Sequence, residues 1–200
     1  MQIEGKVGAQ NLSSGSVGPL RLDTDGALIV KPGGGSLSEA AIAGRLFSVA
    51  NQAAVDTTAA LATTWTGLAV GNPASSGKNY VFHEFAWTIE EADDDSGAVG
   101  LMIATVGDLA QAVVPRCARY GYATTVALSD DGGTPGTPIL VRLCGSFYQA
   151  ANSVVNTVGP HTYNIGGSIV IPPGYALLSY TGVATTGKLL FHYLWEEVDV

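Results

Sequence analysis

The sequence predicts an all-β fold, a β-sandwich or jelly roll of about eight to ten antiparallel strands with an extended N-terminal arm. Short apolar or alternating segments recur along residues 45–200 and are separated by Gly, Pro and Asp turn residues. One apolar run stops at Pro172-Pro173-Gly174 and then resumes at once. Because proline cannot donate to a sheet ladder, the double proline ends a strand, and Gly174 lets the chain turn towards another edge or sheet.

Residues 1–44 differ from the sandwich domain of residues 45–200 and predict an extended arm with a Gly/Ser-rich linker. Within the arm, Asp25-Gly26 predicts a hairpin turn between two short extended segments. The arm has too few apolar residues for a core of its own, so we expect it to pack on the body or on a neighbouring subunit. A disordered tail is the alternative. The arm side chains expected at such an interface are Leu20, Leu22, Leu28 and Val30.

The first half of the domain predicts four strands, of which residues 79–89 alternate most clearly. Simple alternation places Tyr80 and Phe82 on one face and Phe85 and Trp87 on the other. Because both faces carry aromatics, we expect this strand to lie centrally or to have one face covered by another chain, which makes Tyr80 and Phe82 candidate interface residues. The four predicted strands are 46–50, 65–70, 79–89 and 98–106, the last two forming a hairpin.

The second half predicts one short helix, a long polar loop and five more strands. Asp108 is the expected cap of a helix over residues 107–114, and Pro115 ends it. The Asp- and Gly-rich residues 130–138 predict the loop. The final strand predicts a packed face formed by Leu189, Phe191, Tyr193 and Trp195, which alternate with Leu190, His192, Leu194 and Glu196. An acidic tip at 196–200 is expected near the surface. The predicted strands are 122–128, 139–147, 169–171, 175–181 and 188–198.

The composition excludes several classes of function. Charged residues make up only 13% of the chain, and its net charge of −8 with nine scattered basic residues argues against nucleic-acid binding. No apolar stretch is long enough to span a membrane, and the N-terminus lacks a signal-peptide pattern, which predicts a cytosol-like compartment. Cys117 and Cys144 share no metal-like spacing and are expected to be buried free thiols.

Candidate chemistry is sparse, so we expect neither an enzyme nor a cofactor. Asp93, Asp94 and Asp95 are weak candidates for a calcium site, but they lack EF-hand spacing, and a solvated turn is favoured. His83 and His192 could bind a metal if their strands paired, but no His-x-His pattern is present, and packed histidines are favoured. The sequence contains no nucleophile elbow and no phosphate-binding loop.

Three tyrosines could serve a different purpose. Tyr120, Tyr122 and Tyr148 could stack on sugar rings if they were exposed, although packing in a core or an interface is favoured for each.

The chain resembles the virion structural proteins of tailed bacteriophages. The resemblance lies in residues 20–30, residues 46–52, Pro172-Pro173-Gly174 and Trp195-Glu196-Glu197. Proteins of this kind are β-rich and are often attached to the head as decoration, cement or spike components. The resemblance implies an assembly role in an oligomer, formation in the host cytoplasm and a final location in the virion, and it assigns no site residues.

Three functions remain open from the sequence. The leading hypothesis is a non-enzymatic particle component that binds its own copies, with a trimer of jelly rolls exchanging arms favoured, and the major capsid or other virion proteins. The second is a carbohydrate- or receptor-binding module of a phage tail or fibre. The third is a cupin-like metal enzyme.

Overall fold

The computed structural model describes residues 37–90, 96–148 and 160–200. In this part of the chain the protein is an all-β sandwich of two antiparallel five-stranded sheets with one short helix, α1 (Leu37–Ile42), which confirms the predicted fold class. The strands are β1 (Leu46–Ala50), β2 (Trp65–Gly71), β3 (Lys78–Ile89), β4 (Ser96–Thr105), β5 (Arg116–Cys117), β6 (Leu128–Gly133), β7 (Gly136–Tyr148), β8 (His161–Ile171), β9 (Tyr175–Thr181) and β10 (Leu189–Asp199).

The strand pairing is that of one long hairpin rolled into a sandwich. β1 pairs with β10, β2 with β9, β3 with β8 and β4 with β7, all antiparallel. Successive pairs fall in alternate sheets, which gives the orders β5-β1-β10-β3-β8 in sheet 1 and β6-β2-β9-β4-β7 in sheet 2. Eight strands nested in this way form a jelly roll. β5 and β6 lie in the connection between β4 and β7 and extend the two sheets on the side away from β7 and β8.

The Pro-Pro-Gly corner behaves as predicted. β8 ends at Ile171 in sheet 1, and β9 begins at Tyr175 in sheet 2, so the corner carries the chain between sheets. Gly174 has a φ of 90°, a conformation that other residues adopt only with strain. The buried Asn72 stabilises the corner, since its Nδ2 donates to the carbonyl oxygens of Lys78 at 2.8 Å and Ile171 at 2.9 Å.

The core between the sheets is aromatic. Phe85 stacks on Tyr193 at 5.1 Å between ring centroids, and Phe82 meets Tyr193 edge-on at 5.6 Å. The predicted packed face of the last strand is confirmed, because each of its members is at most 1% exposed. These members are Leu189, Phe191, Tyr193 and Trp195.

The assignment of β3 side chains to two faces was wrong, although the strand itself is confirmed. The register between β3 and β8 shifts between Phe82 and Glu84, and the register between β10 and β3 shifts between Leu194 and Trp195. Such an irregularity interrupts strict alternation and lets residues of both predicted faces point the same way. All four aromatics of β3 are therefore buried in the protein's own core. Tyr80 and Phe82 have no exposed surface and are not interface residues.

Four local predictions in the middle of the chain were also wrong. β3 and β4 belong to different sheets and do not form a hairpin. Residues 107–114 contain no helix, and the Asp108 carboxylate accepts hydrogen bonds from Thr134 instead of capping one. Residues 122–127 form no strand. β6 occupies the first part of the predicted polar loop at 130–138. It is stabilised there by pairing with β2, and the carboxylate of Asp130 accepts the backbone N–H groups of Ala110 and Asp131.

Most of the predicted arm lies outside the described residues, and so do its candidate interface residues Leu20, Leu22, Leu28 and Val30. The end of the predicted arm is described, and it forms α1 at Leu37–Ile42, an element that the sequence analysis did not anticipate.

Candidate functional site

His83 and His192 each lie near a carboxylate. His83 Nε2 is 3.8 Å from Glu196 Oε2, and His192 Nδ1 is 3.6 Å from Glu84 Oε1, both pairs bridging β3 and β10. Burial lowers the pKa of His192, and the nearby Glu84 carboxylate partly opposes this effect. In the described part of the chain no group of three or more His, Cys, Asp or Glu side chains could hold a metal ion.

The other predicted site residues are scattered. Asp93, Asp94 and Asp95 lie outside the described residues. Cys117 and Cys144 are free and partly buried, on β5 and β7 respectively. All three tyrosines considered as sugar-stacking residues are exposed, Tyr120 and Tyr122 near β5 and Tyr148 at the end of β7.

The first candidate surface is the β7 edge, defined by the exposed apolar side chains of β7. β7 is the last strand of sheet 2, and no described strand pairs with its outer side. Four large apolar side chains along it are well exposed. They are Ile139 at 64%, Val141 at 43%, Leu143 at 59% and Tyr148 at 70%.

The β7 edge carries some of the features that protect edge strands and lacks others. Its thirteen residues include Pro138, which cannot donate a backbone hydrogen bond, and its register against β4 shifts at three places. Arg142 is its one charged residue, and its Nη1 donates to Ser168 Oγ of β8 at 2.8 Å. Long edges are normally blunted by charges, prolines or bulges, because they otherwise pair with another chain. The sequence analysis missed this surface because the alternation in residues 139–147 looks the same for a half-buried strand and for an exposed edge.

The second candidate surface is the tyrosine cavity, about 720 Å³ in volume, beside β5. Tyr120 is fully exposed at its mouth. The guanidinium of Arg119 lies 4.2 Å from the centre of the Tyr122 ring, and its Nη1 donates to the carbonyl oxygen of Ile42 at 2.7 Å. Tyr122 is therefore held by a cation–π contact whose cation is itself anchored to α1. The cavity is lined by Gln111, Val114, Pro115, Arg116, Cys117, Tyr120, Gly121, Tyr122, Ala123, Thr124 and Thr125.

The lining of the tyrosine cavity is mostly apolar in surface and contains one cationic side chain. The described lining contains Arg116 and no aspartate or glutamate. Within the described residues the Arg116 side chain makes no ion pair or hydrogen bond. A second cavity of about 370 Å³ shares Val114 and Arg116 with the first and reaches Gln52 and His192.

One carboxylate lies just behind the cavity. Thr125, a lining residue, donates its hydroxyl to Glu197, which is buried although the sequence predicted an acidic tip near the surface. Burial raises the pKa of the Glu197 carboxyl, and the hydrogen bond from Thr125 works against that shift.

Comparison with known protein families, with curated proteins and with solved structures finds no match to this chain. In the described residues no helix is long and apolar enough to cross a membrane.

Proposed function

We propose that the protein is a structural component of a phage particle, a decoration, cement or spike protein that binds other capsid or virion subunits. It acts in the assembled virion and catalyses no reaction. Jelly rolls are a common architecture of viral capsid proteins, which supports this reading without distinguishing it from the lectins and cupins that share the fold.

The observation that carries the proposal is the β7 edge. The residues of β7 after Pro138 carry one charge and four exposed apolar side chains, so this part of the edge is suited to accept a further strand by main-chain hydrogen bonding. A neighbouring subunit that covered the edge would bury these apolar side chains.

The partner strand we propose for the β7 edge is the arm of a neighbouring copy. Residues 20–30 combine apolar residues of strand character with Asp23 and Asp25, which complement Arg142 of β7. One arm given and one edge occupied per subunit is a head-to-tail contact, which forms a ring when its rotation closes. Three copies related by a three-fold axis satisfy this condition, and we propose a trimer.

Incorporation into particles tests this function. Particles are produced from a phage genome that encodes the chain and purified by density gradient, and their proteins are identified by mass spectrometry. We expect the wild-type protein in stoichiometric amounts. A Val141→Lys/Leu143→Lys double variant should be lost from the particles, because two lysines on the β7 edge oppose strand addition.

The control is Val126→Lys, which alters a valine in the connection between β5 and β6 that is about as exposed (58%) as Leu143 and more exposed than Val141. It should enter particles as the wild type does. Particles from the wild-type genome that contain none of the protein, or particles that contain the double variant at the wild-type level, would contradict the proposal.

A further inference from the structure

The tyrosine cavity lies away from the β7 edge and needs a separate explanation. β5 and β8 are the two outermost strands of sheet 1, and β7 lies on the β8 side, where Arg142 contacts Ser168. The cavity beside β5 and the β7 edge are therefore on different sides of the sandwich. A subunit with its β7 edge covered would therefore still present this cavity.

The exposed aromatic rings are the first clue to a ligand. Tyr120 is fully exposed and Tyr122 is 56% exposed, although large aromatic side chains usually bury most of their surface. The contacts of Arg119 with the Tyr122 ring and with α1 hold this ring in place before any ligand arrives. A pre-positioned flat apolar face with a hydroxyl at its end suits a ligand with one apolar face and polar edges.

The charge of the lining is the second clue. The chain has a net charge of −8, yet the described cavity lining holds an unpaired arginine and no acid. Guanidinium groups bind carboxylates through paired hydrogen bonds, so Arg116 is suited to one carboxylate. A single unpaired cation does not suit nucleic acid, which needs clusters of basic residues along its backbone.

Two of the remaining polar lining residues are already hydrogen-bonded within the protein. The Gln111 amide donates to the carbonyl oxygen of Ala127 at 2.8 Å, and the Thr125 hydroxyl donates to Glu197. The Thr124 hydroxyl also lines the cavity and has no hydrogen-bond partner among the described residues. A hydroxyl-rich ring could pair with this group and stack its C–H face on tyrosine. The geometry points to a binding site for an acidic saccharide, a sugar unit carrying one carboxylate, with Tyr120 and Tyr122 as stacking platforms and Arg116 as the carboxylate partner.

The second cavity suggests the length of the ligand. Arg116 and Val114 form a common wall between the two cavities, and Gln52 and His192 line the far one. Two neighbouring sugar units fit this arrangement, one stacked on the tyrosines and one beyond Arg116.

The test compares acidic and neutral sugars of matched structure. The full-length protein is titrated by calorimetry with sialyllactose against lactose, and with a glucuronate-containing tetrasaccharide against cellotetraose. At least one acidic probe should bind tenfold or more tightly than its neutral counterpart. Equal or absent binding of both acidic probes, or tighter binding of a mononucleotide or a phosphopeptide in the same titration, would overturn the proposal.

Three variants connect binding to the cavity. Tyr120→Ala should weaken binding of the acidic probe at least tenfold, and Arg116→Gln should abolish the preference over the neutral sugar. Tyr175→Ala removes another exposed tyrosine, at the start of β9 and outside both candidate surfaces, and should leave saccharide binding unchanged. Because all three side chains are exposed, folding is expected to persist, which thermal melting checks. Wild-type binding by both cavity variants would place the ligand elsewhere and overturn the assignment.

Discussion

Asn51 shows how one polar side chain joins the two sheets of this sandwich. It is buried directly after β1, where its Nδ2 donates to the carbonyl oxygen of Gly67 in sheet 2 at 2.9 Å. Its Oδ1 accepts the backbone N–H of Phe191 in sheet 1, also at 2.9 Å. Buried backbone groups need such partners because water cannot reach them.

Replacing this side chain should destabilise the fold. Asn51→Ala leaves a buried donor and a buried acceptor unpaired, each costing about 1–3 kcal/mol, so the free energy of unfolding should fall by about 2 kcal/mol or more. Urea denaturation measures the change. The neighbouring Gln52→Ala is the control, because Gln52 is exposed and should alter stability by less than about 0.5 kcal/mol. Equal effects of the two variants would contradict this role of Asn51.

Glu197 predicts a distinct pH dependence. Because burial raises the pKa of its carboxyl above that of the unfolded chain, the native state keeps this proton to a higher pH. Between the two pKa values the native state binds more protons, so the contribution of Glu197 to stability falls as pH rises. Glu197→Gln removes this contribution while keeping an oxygen that can accept from Thr125.

The measurement is the difference in unfolding free energy between variant and wild type, taken by urea denaturation from pH 4 to pH 7. We expect Glu197→Gln to gain stability relative to the wild type as pH rises. Glu90→Gln makes the same chemical change at an exposed glutamate and is the control. A difference for Glu197→Gln that stays flat or reverses sign would contradict the burial argument.

At the scale of elements, the strands that sequence reasoning located best are those bounded by local turn signals. β1 and β9 begin and end at the predicted residues, and β9 follows the Pro-Pro-Gly corner. β6 was missed because its Asp- and Gly-rich sequence favours turns, while the partners that stabilise it, β2 and the residues around Ala110, are distant in the chain. The bulge in β3 was invisible for a similar reason, since register depends on the neighbouring strands.

The surfaces were less predictable than the strands. An exposed tyrosine and a core tyrosine look alike in a sequence, so Tyr120 and Tyr122 were named only as one possibility among several. Whether Arg116 finds a partner, and whether another strand covers the β7 edge, depends on contacts between distant segments, which no local pattern reports. Among the described residues Arg116 has no such partner and β7 has no outer neighbour.

The pairing of β4 with β7 gives a prediction at this scale. A Cβ added at Gly100 would lie 2.4 Å from the backbone oxygen of Arg142, so Gly100→Ala must push β7 away from β4. We expect a loss of about 1–3 kcal/mol in stability and faster hydrogen exchange of the amides in β7. Gly182→Ala is the control, because its nearest atom would be 3.4 Å away. Unchanged hydrogen exchange in β7 for Gly100→Ala would contradict this prediction, because it would show that the added Cβ does not separate the two strands.

At the scale of the whole molecule, the strand pairing places the two candidate surfaces on opposite sides of the sandwich. Nesting β4 with β7 and β3 with β8 leaves both outer strands, β7 and β8, on one side, while the connection carrying β5 and β6 builds the tyrosine cavity on the other. One side can then bind neighbouring subunits while the opposite side binds a ligand. The low fraction of charged residues agrees with a molecule that covers part of its surface in an assembly.

The arm and the β7 edge should depend on each other if one occupies the other. Leu28→Asp/Val30→Asp places charges in the arm segment that we propose to add to β7, so it should prevent assembly as fully as Val141→Lys/Leu143→Lys does. Size-exclusion chromatography of the two double variants, separately and combined, checks this. If the combined variant contained less oligomer than either double variant alone, the arm and the β7 edge would be making two independent contacts instead of one.

The mass of the native full-length protein, measured by sedimentation equilibrium over a hundredfold range of concentration, tests subunit assembly through the β7 edge most directly. The account predicts a species of three times the 20.5 kDa of the single chain, converted to a folded monomer by Val141→Lys/Leu143→Lys but not by Val126→Lys. A soluble monomer of 20.5 kDa at every concentration, or an oligomer indifferent to both edge lysines, would contradict it.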